Sequence, residues 1–470
     1  MSRLRELFAP KDLTQGTPWK RIVTFAIPML IGNVAQQFYN TADSIIVGKY
    51  VGDNALAAVG SSGPVLNLLL VLFVGISVGA GIMVSQFYGA KDRENLSRTI
   101  GICITLTAIV SVIIMIIGPL VTRPLLEFLN TPASIIDWCE DYLTIFFLGI
   151  AGFAFYNILA GVLRGLGDSL SALMFLLLST ALNVVLDLWF VIQFNMGVPG
   201  VALATVIAQG VSAALCVLKL VRMKRDFDLN WGMLKLNKEY ALKLIKLGLP
   251  SGLTQAIFSL SMIVVQSLTN SFGEMIIATN VIVMRVDGFA MMPNFSFGTA
   301  MTTYTGQNIG ANRMDRVEKG TRDGTLIAIC VATTLTILIL LFGRYLVGFF
   351  TDTPALIDYS VRMMRILAVG YIAMAVTQCL SGVMRGAGDT TTPMWISLIN
   401  TVCLRVPLAY GLAYLTRSPA YPNGRPESLF VSLLITWVMG SLITTFFYRR
   451  GKWREKGLVR QKQAQPVPTD

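Results

Sequence analysis

Two aspartates lie inside apolar stretches of this 470-residue chain, each within a row of polar side chains. The members of each row are three or four residues apart, a spacing that places them on one face of a helix. The rows are Asn33, Gln36, Asn40 and Asp43, and then Thr180, Asn183 and Asp187, with Thr205 adding a hydroxyl further along. A buried carboxylate pair cannot easily hold two negative charges, so it shares a proton or binds a cation. The two aspartates therefore indicate a site for H⁺ or a monovalent cation; the alternative is two separate, hydrogen-bonded structural groups.

A third aspartate, Asp287, also lies within an apolar stretch and has a different setting. It follows Arg285 and precedes Met291 and Met292. A carboxylate beside flexible, polarisable methionines suits a cationic aromatic ligand, so these residues are candidates for substrate contact. The alternative is a structural ion pair between Asp287 and either Arg285 or Arg405.

The stretch containing Gln255 has its own polar row but no acid where Asp43 would map. We therefore count Gln255 only as a candidate cavity residue. Pro28 and Pro250 lie at matching places near the starts of two apolar runs. Either proline can be a plain helix-start signal, but Pro28 lies deep enough to act as a hinge that moves the row of Asp43.

Two unrelated motifs occur twice at one offset of 221 residues, which predicts two structural halves. Gly161-Val-Leu-Arg-Gly-Leu-Gly-Asp168 returns as Gly382-Val-Met-Arg-Gly-Ala-Gly-Asp389. Gln86-Phe-Tyr-Gly-Ala90 returns as Gln307-Asn-Ile-Gly-Ala311. Many secondary transporters are built from such repeated helical bundles.

Composition indicates an all-α polytopic membrane protein that contacts the lipid bilayer. The mean hydropathy is +0.65, and only 14% of residues are charged, against about 25% in soluble domains. The net charge of +12 arises mainly in short connections between apolar runs, so it does not indicate a nucleic-acid partner. There is no histidine, no paired-cysteine motif and no nucleotide-binding motif, so we predict no enzyme activity, metal centre or cofactor beyond a coupling ion.

Apolar runs of about 20 residues, the length needed to cross a bilayer, predict twelve transmembrane helices. The predicted spans are 22–48, 54–88, 98–120, 138–163, 170–194, 198–220, 240–270, 275–307, 322–342, 359–384, 392–414 and 428–448. Basic residues alternate between connections and predict that both termini are cytoplasmic. The predicted division is an N-terminal segment 1–21, an N-lobe 22–220, a linker 221–239, a C-lobe 240–448 and a tail 449–470.

The chain resembles the multidrug and toxic compound extrusion (MATE) family over nearly all of residues 15–450. The resemblance rests on both repeated motifs and on Asn40-Thr-Ala-Asp43-Ser-Ile-Ile-Val-Gly48. The Asn183 and Asp187 pair resembles the DinF-like bacterial and archaeal branch. The resemblance implies a V-shaped fold of two pseudo-symmetric six-helix lobes. In the N-lobe it implies a cation site at Asp43, Asn183, Asp187 and Thr205, with Tyr142 and Asn157 as neighbours, and a bend in helix 1 at Pro28.

The resemblance further implies an antiporter of the plasma membrane that exports cationic or amphipathic compounds in exchange for H⁺ or Na⁺. We expect it to be a monomer. The alternative is a flippase for a lipid-linked saccharide with the same repeated architecture, which would require a cavity rich in Arg and Lys. The membrane-embedded charges here are mainly Asp43, Asp187 and Asp287, with Arg285 and Arg405 as exceptions.

Overall fold

The structure, a computed structural model, describes residues 10–129, 131–224 and 226–458, and its regular secondary structure is helical. In lipid, every backbone polar group must be satisfied within the protein, so long apolar runs form helices. The helices are α1 (Pro18–Ile46), α2 (Asp53–Gly89), α3 (Arg93–Phe128), α4 (Ile136–Leu148), α5 (Ile150–Gly165), α6 (Ser169–Leu188), α7 (Gly197–Arg222), α8 (Lys238–Asn270), α9 (Glu274–Gly310), α10 (Met314–Gly348), α11 (Pro354–Leu367), α12 (Gly370–Gly386), α13 (Thr391–Leu398), α14 (Val406–Leu415) and α15 (Glu427–Arg450).

These helices follow the predicted spans, with two of the spans broken. In the described part of the chain, nine helical segments are long and apolar enough to cross a membrane, and the bent pairs α4–α5 and α11–α12 raise that number to eleven. The pairs bend by 54° and 46°. The remaining predicted span, 54–88, coincides with the 37-residue α2. The all-α polytopic prediction is confirmed.

Within the described ranges, three π-helices interrupt or extend the spans: Val47–Val51 after α1, Trp189–Gln193 after α6, and Ile399–Arg405 between α13 and α14. A π-helical turn accommodates an extra residue and is frequent at functional sites. The second and third directly adjoin the polar residues considered below.

By its internal contacts the chain divides into two compact units. Unit 1 consists of Ile31–Gly252 with the described residues before Leu13, and unit 2 consists of Leu13–Leu30 with the described residues from Leu253 onwards. The first part of α1 therefore clusters with unit 2, and the first part of α8 clusters with unit 1. The predicted lobe boundaries 22–220 and 240–448 remain a prediction.

Parts of the predicted termini and linker, namely residues 1–9, 459–470 and Arg225, lie outside the described residues. Pro28 lies inside α1, which continues through it as a helix.

The repeated octapeptide is a close helix contact followed by a capped turn. An added Cβ on Gly161 would come within 2.6 Å of the Ser77 carbonyl oxygen, and one on Gly382 within 2.3 Å of the Gly298 carbonyl oxygen. Only glycine permits such an approach between helix backbones. The repeated motif is thus required by the packing of α5 on α2 in unit 1 and of α12 on α9 in unit 2.

The aspartate that ends each octapeptide starts the next helix. Asp168 accepts a hydrogen bond from the backbone N–H of Ser171 at 2.9 Å, and Asp389 accepts one from Thr392 at 3.2 Å. The preceding glycines have φ values of +87° and +96°, which side chains rarely adopt. Both copies therefore end one helix and begin the next by the same device.

The second copy of the Gln-x-x-Gly-Ala motif holds the segment that precedes α1. The Leu13 N–H donates to Gln307 Oε1 at 2.9 Å, while Asn308 Nδ2 donates to the Leu13 carbonyl at 3.3 Å. Arg316 also donates to that carbonyl, at 3.2 Å, and to the Gly16 carbonyl at 2.9 Å. The Leu13 side chain is buried in the core of unit 2. The motif thus anchors the start of the described chain.

In unit 1 the segment that precedes α8 is held in a similar way. Arg93 pairs with Asp228 at 2.8 Å, and Thr105 donates to the Leu234 carbonyl at 2.6 Å. The Tyr240 hydroxyl donates to the Asn95 side chain. The connection between α7 and α8 is therefore fixed along α3.

Candidate functional site

The predicted cation-site residues come together in unit 1. Asp43 lies near the end of α1, Asn183 and Asp187 lie one turn apart on α6, and Thr205 lies on α7. Asn183 and Asp187 have no exposed surface, and Thr205 is 8% exposed. Three helices thus bring two carboxylates, an amide and a hydroxyl into one buried cluster.

Thr205 connects the helices of this cluster. Its hydroxyl oxygen accepts hydrogen bonds from Asn183 Nδ2 and from the Tyr39 hydroxyl, both at 3.3 Å. These bonds use both lone pairs of the Thr205 oxygen. Because Asn183 donates through its nitrogen, its side-chain oxygen is left facing the cluster without a hydrogen-bond partner.

The two carboxyl groups lie within reach of each other. Within the described residues, Asp43 Oδ1, both carboxylate oxygens of Asp187 and Asn183 Oδ1 are buried without a hydrogen-bond partner. Such buried acceptors are costly unless something satisfies them. Four such oxygens on neighbouring side chains fit a proton shared between the carboxylates or a small cation with oxygen ligands.

Two tyrosines border the carboxylates. Tyr142, implied by the family resemblance, is 6% exposed and lies close enough to interact electrostatically with Asp43 and Asp187. Tyr39 is 9% exposed and is similarly close to both. The sequence analysis missed Tyr39, although its position one turn before Asp43 on α1 was a usable signal.

The other predicted residues of unit 1 make local bonds. Asn157 donates to the Phe153 carbonyl of its own helix at 2.9 Å, and the Asn157 carbonyl accepts from Ser77 at 2.7 Å. Gln36 donates to the side chain of Asn40, which is exposed, at 3.5 Å. These bonds do not join Asn157, Gln36 or Asn40 to the carboxylate pair.

Asp287 lies in unit 2, where Tyr371 rather than an arginine binds it. The Tyr371 hydroxyl donates to Asp287 Oδ1. Arg405 is near enough to interact electrostatically with Asp287, but no ion pair within 4 Å joins Asp287 to an arginine among the residues that the structure describes. Arg285 is exposed. The ion-pair alternative is therefore not formed at contact distance.

The methionines near Asp287 are packed inside the protein. Met291 and Met292 are each 7% exposed, and Met291 belongs to the core of unit 2. Asn294 Nδ2 lies 3.7 Å from Met291 Sδ and donates to the Tyr371 carbonyl at 3.1 Å. Gln255 is exposed on α8. A substrate role for these residues remains a prediction.

A chain of long apolar helices built from two repeated halves defines a polytopic membrane protein with the architecture of many secondary transporters. The family model MatE matches residues 28–189 and 250–411, more than half of the chain, in two segments that correspond to the repeat. The protein therefore belongs to the MatE family, a family of multi-pass membrane transporters, which confirms the resemblance found in the sequence.

Relatives cover almost the whole chain. The probable multidrug resistance protein YoeA of Bacillus subtilis is 29% identical over 98% of this chain and 99% of its own length. The probable multidrug resistance protein NorM of Thermotoga maritima is 25% identical over 95% of this chain and 96% of its own. The multidrug export protein MepA of Staphylococcus aureus is 22% identical over 79% and 82%.

Solved structures share the fold. A MOP superfamily transporter from Pyrococcus furiosus is 26% identical, with a TM-score of 0.84 over 93% of this chain and 97% of that chain. A crystal structure of MATE in complex with MaL6 is 24% identical, with a TM-score of 0.86 over the same shares.

Proposed function

We propose that the protein is a monomeric antiporter of the plasma membrane, with both termini cytoplasmic, that exports cationic or amphipathic organic compounds. Entry of H⁺ or Na⁺ drives export by alternating access. The multidrug resistance and multidrug export names of the relatives support the substrate class. The exporter is not an enzyme, because the coupling ion and the compound cross the membrane without covalent change.

The observation that carries this proposal is the group of four buried oxygens without partners at Asp43, Asn183 and Asp187. Ionisable groups inside a membrane are expensive and mark ion pathways and proton relays. A proton or cation bound there offsets the repulsion between the two carboxylates. In the proposal, this ion favours one conformation over another, since an ion that binds both equally shifts nothing.

The helices that meet at the cluster suggest how the ion acts. Asp43 lies on α1, whereas Asn183 and Asp187 lie on α6 and Thr205 on α7. Loading the ion draws the Asp43 end of α1 towards α6, and unloading releases it. Pro28, within the same helix, provides a place where α1 bends in this cycle because it removes one backbone hydrogen bond.

The test is export of ethidium from proteoliposomes under a pH gradient and, separately, a Na⁺ gradient. We expect one gradient to drive export by the wild type and neither to drive it in Asp43→Asn or Asp187→Asn. Asp141→Asn is the matched control, because Asp141 is an exposed aspartate of the same unit, and it should behave as the wild type. The active gradient identifies the ion.

Gradient-driven export that survives in both cluster variants would contradict the assignment. A wild type that exports no organic cation under either gradient would favour the flippase for a lipid-linked saccharide.

A further inference from the structure

Arg405 is a buried charge with too few partners. It ends the π-helix Ile399–Arg405 and is 7% exposed. Its NH1 nitrogen lies 3.4 Å from the sulfur of Met262, and its Nε has no hydrogen-bond partner in the described chain. A guanidinium has five N–H donors, and a thioether is a weak acceptor. A buried cation left in this state is costly, which indicates that an acceptor from outside the chain completes its environment.

A carboxylate of opposite charge lies near Arg405 without neutralising it. Asp287 is close enough for an electrostatic interaction, yet no ion pair within 4 Å joins the two among the described residues. Asp287 is instead bonded through Oδ1 to Tyr371, and it is more exposed than Arg405. Unit 2 thus holds a positive and a negative group near each other but not in contact.

The repeat shows what Arg405 replaces. Leu404-Arg-Val-Pro-Leu408 matches Leu182-Asn-Val-Val-Leu186, with both leucines and the valine in common. The two stretches are 222 residues apart, the same separation as the starts, at 28 and 250, and the ends, at 189 and 411, of the two family-matched segments. The separation is one more than the 221 residues between the octapeptides because the π-helix Ile399–Arg405 accommodates an extra residue. Arg405 therefore occupies the place of Asn183.

At the same spacing, unit 2 has no carboxylate at the positions that correspond to the two aspartates of the cation site. Val265 corresponds to Asp43, and Ala409 corresponds to Asp187. The place that presents acceptor oxygens in unit 1 therefore presents a guanidinium donor in unit 2. Its chemistry favours an anionic group, because planar guanidinium groups bind carboxylates with two parallel hydrogen bonds.

We propose that unit 2 carries a binding site for zwitterionic substrates, in which Arg405 binds a carboxylate and Asp287 binds the ammonium group of the same molecule. This inference rests on the proposed export function and specifies the substrate class. The two protein charges stay apart because the substrate lies between them. Tyr371 holds Asp287 by one oxygen, which leaves the other for the ammonium group.

The test compares two fluorescent probes that differ by one charge: Nε-dansyl-lysine, a zwitterion, and its methyl ester, a cation. Binding to the purified full chain in nanodiscs is measured by fluorescence at pH 6, where both ammonium groups are protonated, without any ion gradient. Charge-assisted hydrogen bonds predict that the wild type binds the zwitterion roughly ten-fold or more tightly than the ester.

Arg405→Gln should reduce this preference to about one by weakening the zwitterion alone, and Arg405→Lys should retain part of it. Asp287→Asn should weaken both probes, since both carry the ammonium group. The matched control is Arg344→Gln, which removes a positive charge from an exposed ion pair of the same unit and should leave the preference unchanged.

Equal binding of both probes by the wild type, or binding of neither, would overturn the proposal without any variant having to fold. So would a folded Arg405→Gln protein, verified by its thermal unfolding, that keeps the preference. Because no gradient is applied, these results do not depend on coupling. If only the proposed coupling is wrong, neither gradient drives ethidium export, while the wild type still binds the zwitterionic probe more tightly than the ester.

Discussion

The two units of this protein share their backbone devices but differ in their polar centres. Each has a close glycine contact followed by an aspartate-capped turn, at Gly161 and Asp168 in unit 1 and at Gly382 and Asp389 in unit 2. Among the described residues, the polar centre of unit 1 presents oxygens without donors, whereas that of unit 2 presents a guanidinium whose Nε has no acceptor and whose NH1 reaches only the weak acceptor of a thioether. The repeat therefore fixes the helices and leaves the charge of each centre to a few side chains.

This difference teaches that a duplicated scaffold need not carry a duplicated function, because function lies in the site and not in the fold. In the proposals above, unit 1 binds the coupling ion and unit 2 binds an anionic group. Four changes test how far this contrast holds.

The largest effect is expected from Asn183→Arg, which gives unit 1 the residue found at the corresponding place in unit 2. The guanidinium would lie beside Asp43 and Asp187 as a permanent cation. The coupling ion would then have no free place at the two carboxylates. Stimulation of ethidium export by the gradient should fall to about one from the roughly 5- to 150-fold range of coupled sites. Asn183→Gln, which keeps the amide, should retain stimulation; an Arg variant that still responds to the gradient would contradict the cation site.

Tyr371→Phe tests the polar centre of unit 2 by removing the hydroxyl that donates to Asp287. Hydrogen bonds to charged groups contribute about 1.5–3 kcal/mol, so the free energy of unfolding should fall by that amount. Thermal unfolding in detergent measures it. The factor by which the ion gradient stimulates export should not change, because Tyr371 and the coupling carboxylates belong to different units; a loss of this stimulation would show that the two centres are not separate in function.

Tyr39→Phe tests the support of the cation site, because the Tyr39 hydroxyl donates to Thr205. Loss of one neutral hydrogen bond should lower the apparent affinity for the coupling ion by about 0.5–1.5 kcal/mol, or roughly two- to ten-fold. The ion concentration dependence of export gives this value. Tyr50→Phe, at a tyrosine that is 50% exposed, is the control, and equal effects from the two changes would remove Tyr39 from the site.

The smallest effect is expected from the exposed pair of Arg93 and Asp228 in unit 1. The Arg93 guanidinium lowers the pKa of Asp228 below its ordinary value of 3.8. Because the folded-state pKa is lowered, the pair stabilises the fold above pH 3.8, and this contribution is lost as the pH falls through the folded-state value. Melting temperatures of the wild type and Asp228→Asn should differ slightly at pH 7, and the difference should shrink as the pH falls below 3.8. A difference that grows on acidification would contradict this prediction.

The sequence predicts the helices and the cation cluster well, for identifiable reasons. Apolar runs must form helices in lipid, so the predicted span 170–194 and the observed segment Ser169–Gln193 nearly coincide. Polar residues within those runs are rare, so Asp43 and Asp187 were conspicuous. In the structure, Thr205 accepts hydrogen bonds from Tyr39 on α1 and Asn183 on α6, so the three helices meet beside these aspartates. The cation site itself remains a prediction.

Other features depend on packing that no single stretch reveals. The break at Gly149 divides one predicted span, and an added Cβ there would meet the Val206 side chain at 2.1 Å, so this position needs glycine for a contact between distant segments. In the sequence, Tyr39 resembles an ordinary aromatic residue of a buried helix face. Only the folded structure shows that its hydroxyl donates to Thr205. From the sequence, Arg405 is a possible partner of Asp287 in an ion pair, whereas in the described chain its hydrogen-bond partner is the thioether of Met262.

The first part of α1 belongs to unit 2 and the first part of α8 belongs to unit 1, which has a consequence for splitting the protein into two fragments. A cut in the connection between α7 and α8 looks natural, because it separates the two sequence repeats. Yet the segment Leu13–Leu30 would leave with the first fragment although it belongs to unit 2, and the start of α8 up to Gly252 would leave with the second although it belongs to unit 1. Each fragment would lack a segment of the unit that it mainly contains. We therefore expect neither fragment to fold correctly without the other, although their sequences are similar.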